Sequence, residues 1–179
     1  VLYVENFVKS QNHTEIDVTS WAGFGQGTWD FNERWSLTFG GRYTAEEKEY
    51  FQDHRFQNLL VNFVGPRLLK ESWNAFTPKV GLEWRLTDEA LSYFSASRGF
   101  KSGGWSPRPT NGNEGLNPFD PEFLWSYELG AKTTWLENRL QVNLAGFYND
   151  YTDIQITTVA SSGANLVLNV ENAGEAEIY

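Results

Sequence analysis

The 179-residue sequence contains no cysteine and no methionine, and only two histidines, His13 and His54. Without cysteine, neither a disulfide scaffold nor a thiolate metal site can form, which fits export through an oxidising compartment. No arrangement of nucleophile, acid and base suggests a catalytic site, so we expect no enzyme activity. The net charge of −9 argues against a nucleic-acid partner, because nucleic-acid phosphates require a basic surface.

Longer features are missing as well. No apolar run approaches the ~18 residues of a transmembrane helix, and helical periodicity appears nowhere at convincing length. The sequence shows no positively charged leader followed by an apolar core, as a signal peptide would have. Because it also starts at Val1 and lacks methionine, we expect a processed chain or an internal piece of a longer protein.

Aromatic residues are abundant, at 16% of the chain, and they fall into an alternating pattern. Residues 125–135 and 140–148 alternate apolar with polar, which is the period of a strand wetted on one face. The link at 136–139 is short and has the chemistry of a hairpin turn. The link before Trp125 is long and rich in Gly, Pro and Asn. Short turns at one end and long loops at the other are typical of an outer-membrane β-barrel.

The same reading along the chain predicts seven antiparallel strands and no long helix. Short turns are expected at 32–34, 86–89 and 136–139, and long loops at 52–71, 103–121 and 160–165. Pro78 should break its strand locally, because proline removes a ladder donor. The predicted strands are 14–31, 35–51, 71–85, 90–102, 122–135, 140–158 and 166–179.

Four of these strands have one face without any charge. The other face carries both signs, which suits a water-filled lumen better than a dry core. The uncharged positions are Trp35, Leu37, Phe39, Gly41 and Tyr43; Phe76, Pro78, Val80, Leu82 and Trp84; Trp125, Tyr127, Leu129, Ala131, Thr133 and Trp135; Leu140, Val142, Leu144, Gly146 and Tyr148. The opposite parity carries Arg42, Glu46, Lys79, Glu83, Glu128, Lys132, Arg139, Gln141 and Asn143. For residues 90–102 we expect Leu91, Tyr93, Ser95 and Ser97 outward, which places Arg98 in the lumen.

Tryptophans lie beside the predicted short turns, where indole rings suit the headgroup level of a membrane. They are Trp29, Trp35, Trp84 and Trp135, with Phe31 among them. A spanning strand needs only ~9–11 residues, so strands 14–31, 35–51 and 140–158 should project beyond the bilayer at the long-loop end. A soluble β-sandwich with tryptophans at its strand ends is the alternative interpretation.

Several stretches together resemble the barrel domain of TonB-dependent outer-membrane receptors of the iron-complex type. They cover about residues 14–179 and are specific in combination. The matching stretches are Trp35-Ser36-Leu37-Thr38-Phe39-Gly40-Gly41-Arg42-Tyr43-Thr44-Ala45-Glu46-Glu47-Lys48, Thr77-Pro78-Lys79-Val80-Gly81-Leu82-Glu83-Trp84, Ser97-Arg98-Gly99-Phe100-Lys101-Ser102-Gly103-Gly104, Pro121-Glu122 followed by Ser126-Tyr127-Glu128-Leu129-Gly130-Ala131-Lys132, Phe147-Tyr148-Asn149-Asp150-Tyr151-Thr152-Asp153-Ile154-Gln155, and Asn172-Ala173-Gly174.

The resemblance implies a barrel of about 22 strands that is closed by an N-terminal plug domain. It further implies uptake of a scarce, bulky ligand, such as a ferric siderophore, in the outer membrane of a Gram-negative bacterium, powered by the TonB complex through the plug. This sequence shows neither the plug nor a TonB-contacting box. We therefore expect residues 1–179 to be part of a barrel domain, with partner strands before Val1 and after Tyr179. A passive porin-like channel and a soluble carbohydrate-binding sandwich remain alternative functions.

Candidate ligand residues approach the Gly- and Pro-rich loop at the mouth. Arg98, Lys101 and Arg108, with Trp105 between them, could form a cationic, aromatic-backed site for an anionic ligand such as a ferric chelate. Alternatively, they are solvated loop residues, or Arg98 pairs with Glu128 on the next strand.

Other aromatics and the histidines suggest no ligand site. Tyr50, Trp73 and Phe76 are interpreted as aromatics of the outer girdle. The turn at 32–34 sets His13 opposite Asp53 and His54 opposite Asn12, so the two histidines lie on opposite faces. A metal pair is disfavoured, and solvated loop histidines are the preferred reading.

Overall fold

The computed structural model describes residues 9–57, 64–106, 117–162 and 165–179, and it forms nine strands there. No helix in these ranges is long and apolar enough to cross a membrane. The strands are β1 (Lys9–Asn32), β2 (Trp35–Gln57), β3 (Val64–Thr87), β4 (Ala90–Lys101), β5 (Glu122–Trp135), β6 (Leu140–Thr152), β7 (Gln155–Ser162), β8 (Asn165–Asn172) and β9 (Ala176–Ile178).

Seven strands form one antiparallel sheet in the order β1-β2-β3-β4-β5-β6-β9, and β7 and β8 form a second, two-stranded sheet. Each of the first six strands pairs with its neighbour in sequence. The predicted all-β, antiparallel up-and-down meander is confirmed.

The first hairpin shows how a short turn fixes the register of long strands. Asn32 closes the turn, since its Oδ1 accepts hydrogen bonds from the backbone N–H groups of Arg34 (2.8 Å) and Trp35 (3.1 Å). From there the pairing runs to the far end of both strands, where His13 lies opposite Asp53 and Asn12 opposite His54. This register agrees with the one predicted from the turn.

The predicted loop at 52–71 is wrong, because β2 continues to Gln57 and β3 begins at Val64. Beyond Tyr43 the outer face of this hairpin becomes charged. Lys70 Nζ lies 2.7 Å from Glu47 Oε1 and 3.0 Å from Glu49 Oε1 across the two strands. With water on both faces, alternation is no longer required, so the sequence pattern ends before the strands do.

The predicted break at Pro78 is wrong too. Pro78 pairs with Gly41 within an unbroken β2–β3 ladder. On the other side, the β3–β4 ladder ends at Lys79 and Ser97, next to the proline. Since proline has no N–H to donate, it is tolerated where only one side of the strand is hydrogen-bonded.

The last two predicted strands, 140–158 and 166–179, are each interrupted once. Asn149 pairs with Ile178 in the main sheet, and Gln155 pairs with Asn172 in the small sheet. The second pair lies six residues later in the sequence on one strand and six residues earlier on the other. The register is therefore continuous, and the hairpin leaves the wall by a kink at Asp153 (φ 57°) and Gly174 (φ 145°). Two backbone hydrogen bonds span the kink, from Ile154 N to Gly174 O (3.1 Å) and from Ala173 N to Ile154 O (3.0 Å).

The predicted faces of β2, β3, β5 and β6 are confirmed by the strand register. Directly paired residues share a face of an antiparallel sheet. Leu37 pairs with Leu82, and Ala131 pairs with Leu144. Large apolar side chains on this apolar face are exposed, such as Leu129 (62%) and Leu144 (70%). A broad exposed apolar surface of this kind suits lipid rather than water.

For β4 the predicted facing is wrong. Phe94 pairs with Leu82 on one side and with Leu129 on the other, so it belongs to the apolar face. Tyr93 pairs with Glu83 and Gly130 and lies on the charged face. Arg98, which has the same parity as Phe94, is thereby on the apolar face and not in the lumen.

Aromatic residues mark both edges of the apolar face at a constant spacing. Four strands carry a ring near the short turn and another eight residues away, namely Trp29 and Trp21, Trp35 and Tyr43, Trp84 and Phe76, and Trp135 and Tyr127. Eight residues span about 26 Å along a strand, close to the apolar band of about 25 Å in outer-membrane barrels. We call the row beside the short turns the lower girdle and the row eight residues away the upper girdle.

Candidate functional site at the long-loop end

The charged face carries a polar network along its lower part. The Tyr93 hydroxyl donates to Glu128 Oε1 at 2.7 Å, and Lys132 Nζ lies 5.3 Å from the centre of the Tyr93 ring. Lys79 and Glu83 line the same concavity. Since side chains of both signs share this surface, it suits a wet lumen.

Above this network, the chain after β4 folds onto the charged face. We call residues 102–106 the inserted segment. Trp105 stacks on Tyr50 with ring centres 5.5 Å apart and planes at 22°, and it meets Trp73 edge-on at 5.5 Å. These three rings are the buried apolar cluster of the described residues, with exposures of 7%, 0% and 7%. The predicted girdle positions of Tyr50 and Trp73 are therefore wrong, whereas Phe76 pairs with Tyr43 in the upper girdle.

Lys48 fixes the backbone of the inserted segment. Its ammonium donates to the Gly103 carbonyl at 2.7 Å, lies 5.5 Å from the centre of the Trp73 ring, and forms an ion pair with Glu46 at 3.0 Å. Gly104 in turn exchanges two backbone hydrogen bonds with Phe119, of 3.1 and 2.8 Å. Lys48 thus joins the strand wall to one arm of the loop, and the backbone of Gly104 joins that arm to the other.

The β7–β8 hairpin holds the same loop from the other side. The Gln155 amide donates to the Ser102 and Asp120 carbonyls, both at 3.0 Å. The Asn172 amide donates to the Asp120 carbonyl at 2.9 Å, and its Oδ1 accepts from Asp120 N at 2.7 Å. Val170 N donates to Ser106 Oγ at 2.8 Å. The hairpin and the loop therefore form one hydrogen-bonded unit above the lumen.

Three of the four predicted ligand residues lie in the described part of the chain, and the structure does not bring them together. Arg98 lies on the apolar face, opposite Trp125, so the alternative pairing with Glu128 is also wrong. Lys101 is on the charged face, 62% exposed, with its Nζ 3.5 Å from Glu122 Oε1. Trp105 is buried in the aromatic cluster. Arg108 lies outside the described residues.

Sequence reasoning missed Lys48, Gln155 and Asn172, which hold the loop. A signal was available for Lys48, since it continues the parity of Arg42 and Glu46 on the charged face. The two amides could not have been found, because their role depends on the kink at Asp153 and Gly174.

No group of acidic, histidine or cysteine side chains in the described part of the chain could hold a metal ion. His13 packs edge-on against Phe51, with ring centres 5.9 Å apart. His54 pairs with Asn12 by register, and its side chain lies outside what the structure describes.

We expect the attachment of the inserted segment to depend on pH through Glu46, which accepts hydrogen bonds from Ser102 and Lys48. Burial raises the pKa of its carboxyl, but hydrogen bonds from Ser102 and Lys48 and the charge of Lys48 outweigh it, so the pKa lies below its ordinary value of 4.5. A lowered pKa means that the contribution is complete above pH 4.5 and is lost as pH falls through the lower, folded value. We expect amide protection of residues 103–106, corrected for intrinsic exchange, to fall in that acidic range. Glu46→Gln should remove this dependence, and an unchanged acid profile in that variant would contradict the assignment.

Comparisons with known proteins agree with this architecture. Residues 3–179 match the family model described as TonB dependent receptor-like, beta-barrel. The chain is 28% identical over 166 residues to the metal-pseudopaline receptor CntO of Pseudomonas aeruginosa strain UCBPP-PA14, and 27% identical to that of strain PAO1. Each match covers 93% of this chain, which spans about a fifth (21%) of the length of these relatives.

Two solved structures share the fold. The ferric yersiniabactin uptake receptor FyuA from Yersinia pestis matches with a TM-score of 0.73 and 22% identity, over 96% of this chain and 24% of that one. The alcaligin outer-membrane receptor FauA from Bordetella pertussis matches with a TM-score of 0.59 and 19% identity, over 92% of this chain and 26% of that one.

The family match also settles two broader points. These receptors are transporters rather than enzymes, and they reside in the outer membrane of Gram-negative bacteria, so the soluble carbohydrate-binding sandwich is excluded. The family model matches almost the whole length of the chain, and the antiparallel sheet resembles that of the solved receptors. The chain therefore belongs to the β-barrel family of TonB-dependent receptors.

Proposed function

We propose that this chain is part of the wall of a receptor that takes up a scarce metal chelate, of the ferric-siderophore kind, with energy delivered through TonB. The observation that carries the proposal is the ordered unit at the long-loop end, in which the inserted segment and the β7–β8 hairpin lie over a charged lumen. The names of the relatives supply the ligand class, since they include receptors for metal-pseudopaline and ferric yersiniabactin.

The sheet has two open edges, along β1 and along β6 and β9. Unpaired backbone N–H and C=O groups cannot be left in hydrocarbon, so a membrane wall must close. We infer that this sheet is about a third of a barrel of about 22 strands, in which a plug domain occupies the lumen and contacts TonB.

At the long-loop end, Lys101 is the position that favours binding of a negatively charged chelate. Lys101 lies on the charged face and is more than half exposed, and its partner Glu122 is 3.5 Å away. A loosely paired, solvent-facing cation can exchange its carboxylate for an anionic ligand, and this attraction is screened by salt. Trp105 supports the site by packing rather than by contact, because its ring is buried.

The test is uptake by a receptor-deficient Gram-negative strain that carries the full-length receptor. Radiolabelled ferric yersiniabactin, ferric alcaligin and metal-pseudopaline are supplied below micromolar concentration, with the tonB gene intact or deleted. We expect one chelate to accumulate only in the tonB-positive strain. Equal entry in both strains would show a passive channel, and no entry of any chelate would refute the ligand class.

A residue-level arm locates the ligand. Lys101→Gln should weaken binding of the accepted chelate about three- to fivefold at low salt, with a smaller difference at high salt. Lys70→Gln is the matched control, since Lys70 is on the outer side of the wall and pairs with Glu47 and Glu49. Equal effects of the two variants would exclude a ligand contact at Lys101.

A further inference from the structure

Arg98 occupies an unusual place on the membrane side of the wall. It lies eight residues after Ala90, the first residue of β4. At the same spacing β1, β2, β3 and β5 carry the rings of the upper girdle. Ala96, one outward position below Arg98, pairs with Tyr127 of that girdle. Arg98 is therefore at the level where lipid headgroups begin.

The guanidinium of Arg98 is held but not neutralised. Its central carbon lies 4.0 Å from the centre of the Phe123 ring, which is a close cation–π contact. Its Nε is buried and has no hydrogen-bond partner, and Arg98 makes no ion pair within the described ranges. Phe123 pairs with Phe100, so a second ring borders the same position on the apolar face.

Three lysines of the long-loop end are neutralised by carboxylates. Lys48 pairs with Glu46, Lys70 with two glutamates, and Lys101 with Glu122. Arg98 is half-buried, so part of its side chain can still be reached from outside the chain. A charge without a carboxylate partner is unfavourable at the edge of the hydrocarbon, and an external anion would relieve this cost. On the apolar face at headgroup depth, the anions available are lipid phosphates.

We propose that Arg98, supported by Phe123, binds the phosphate group of an outer-leaflet lipid. Arginine suits this role because its planar fork matches phosphate oxygens in a bidentate manner while one plane stacks on an aromatic ring. Asp150 lies on the same apolar face as Arg98. Trp125 of β5 lies between them and pairs with Arg98 on one side and with Asp150 on the other. This nearby carboxylate favours a single phosphate group over a polyanion.

The test uses the full-length receptor in nanodiscs of phosphatidylcholine doped with bis-phosphorylated lipid A, with fully dephosphorylated lipid A, or with phosphatidylglycerol. Lipids retained after mild delipidation are counted by native mass spectrometry. A further sample receives inorganic phosphate alone. Arg98→Gln is compared with Arg98→Lys, which keeps the charge, and with Lys70→Gln, which removes an outward cation that is already paired. Heat-modifiable migration on gels confirms that each variant is folded.

We expect the unaltered receptor and Lys70→Gln to retain a phosphorylated lipid about five- to tenfold better than Arg98→Gln, the scale of one net hydrogen bond. Arg98→Lys should retain it to an intermediate degree, because a lysine lacks the fork. Retention of lipid A but not phosphatidylglycerol, or of both, identifies which lipid supplies the phosphate. Equal retention in all variants, equal retention of dephosphorylated lipid A, or competition by inorganic phosphate at millimolar concentration would overturn the proposal.

Discussion

Leu144→Arg is expected to lower the free energy of unfolding of the receptor in lipid vesicles by about 2–4 kcal/mol. Leu144 lies on the apolar face of β6, midway between Leu140 and Tyr148, which pair with the girdle residues Trp135 and Tyr127. It is 70% exposed and pairs with Ala131. A guanidinium there would have to leave water for hydrocarbon, or reach one of the girdles at the cost of distorting the strand. Urea unfolding followed by tryptophan fluorescence measures the change.

Asn143→Arg is the matched control, one residue away on the charged face. Asn143 pairs with Lys132, so a new arginine would meet one like charge in an aqueous lumen, which costs less than about 1 kcal/mol. The difference between the two variants therefore reports facing and not the size of the side chain. Similar costs at both positions would mean that β6 does not present Leu144 to lipid.

The facing of four strands could be predicted from the sequence because charged side chains are strongly disfavoured on the lipid-facing side of a strand. Between the girdles, an outward charge is costly, so β2, β3, β5 and β6 keep a strict apolar parity. The β4 strand misled the same reasoning, since Tyr93 and Phe94 are adjacent and both are aromatic. Only the register, with Phe94 opposite Leu82 and Tyr93 opposite Glu83, decides which ring faces lipid.

Above the upper girdle, outward-facing residues no longer have to be apolar, so the alternating pattern that predicts strands is lost. Glu47, Glu49 and Lys70 can face outward there because water surrounds them, and the pattern no longer separates strand from loop. The end of β2 was therefore predicted too early and the start of β3 too late. The kink at Gly174 and Asp153 was missed for a related reason, since the residues on both sides of it continue a good strand pattern in an unbroken register.

The placement of the inserted segment depends on contacts between residues far apart in sequence. Trp105 was predicted to back a cationic ligand site at the mouth, and its partners Tyr50 and Trp73 were predicted to lie in the outer girdle. The pairing of Trp73 with Glu46 puts that ring on the charged face, where it meets Trp105. A Gly-Gly pair directly before a tryptophan was the local sign that backbone and ring both approach a wall closely.

Gly103→Ala tests whether this close approach holds the inserted segment in place. A Cβ on Gly103 would lie 2.5 Å from Trp73 Nε1 and would overlap the Phe119 carbonyl oxygen, which is backbone and cannot rotate away. Forcing a methyl group into such packing costs about 1–3 kcal/mol. We expect the two hydrogen bonds between Gly104 and Phe119 to open, with amide exchange at both residues about 5- to 150-fold faster.

The control for this variant is Gly99→Ala, four residues earlier in β4, where a Cβ would meet nothing within 4 Å. Both variants add one methyl group to a glycine, so only the surroundings differ. Gly99→Ala should change exchange at Gly104 and Phe119 by less than about twofold, in line with a substitution away from packed features. If the two variants behave alike, the inserted segment is not held by its contact with Trp73 and Phe119, and Lys48 would be the attachment that remains. In that case Lys48→Gln, which removes the 2.7 Å hydrogen bond to the Gly103 carbonyl, should accelerate exchange when Gly103→Ala does not.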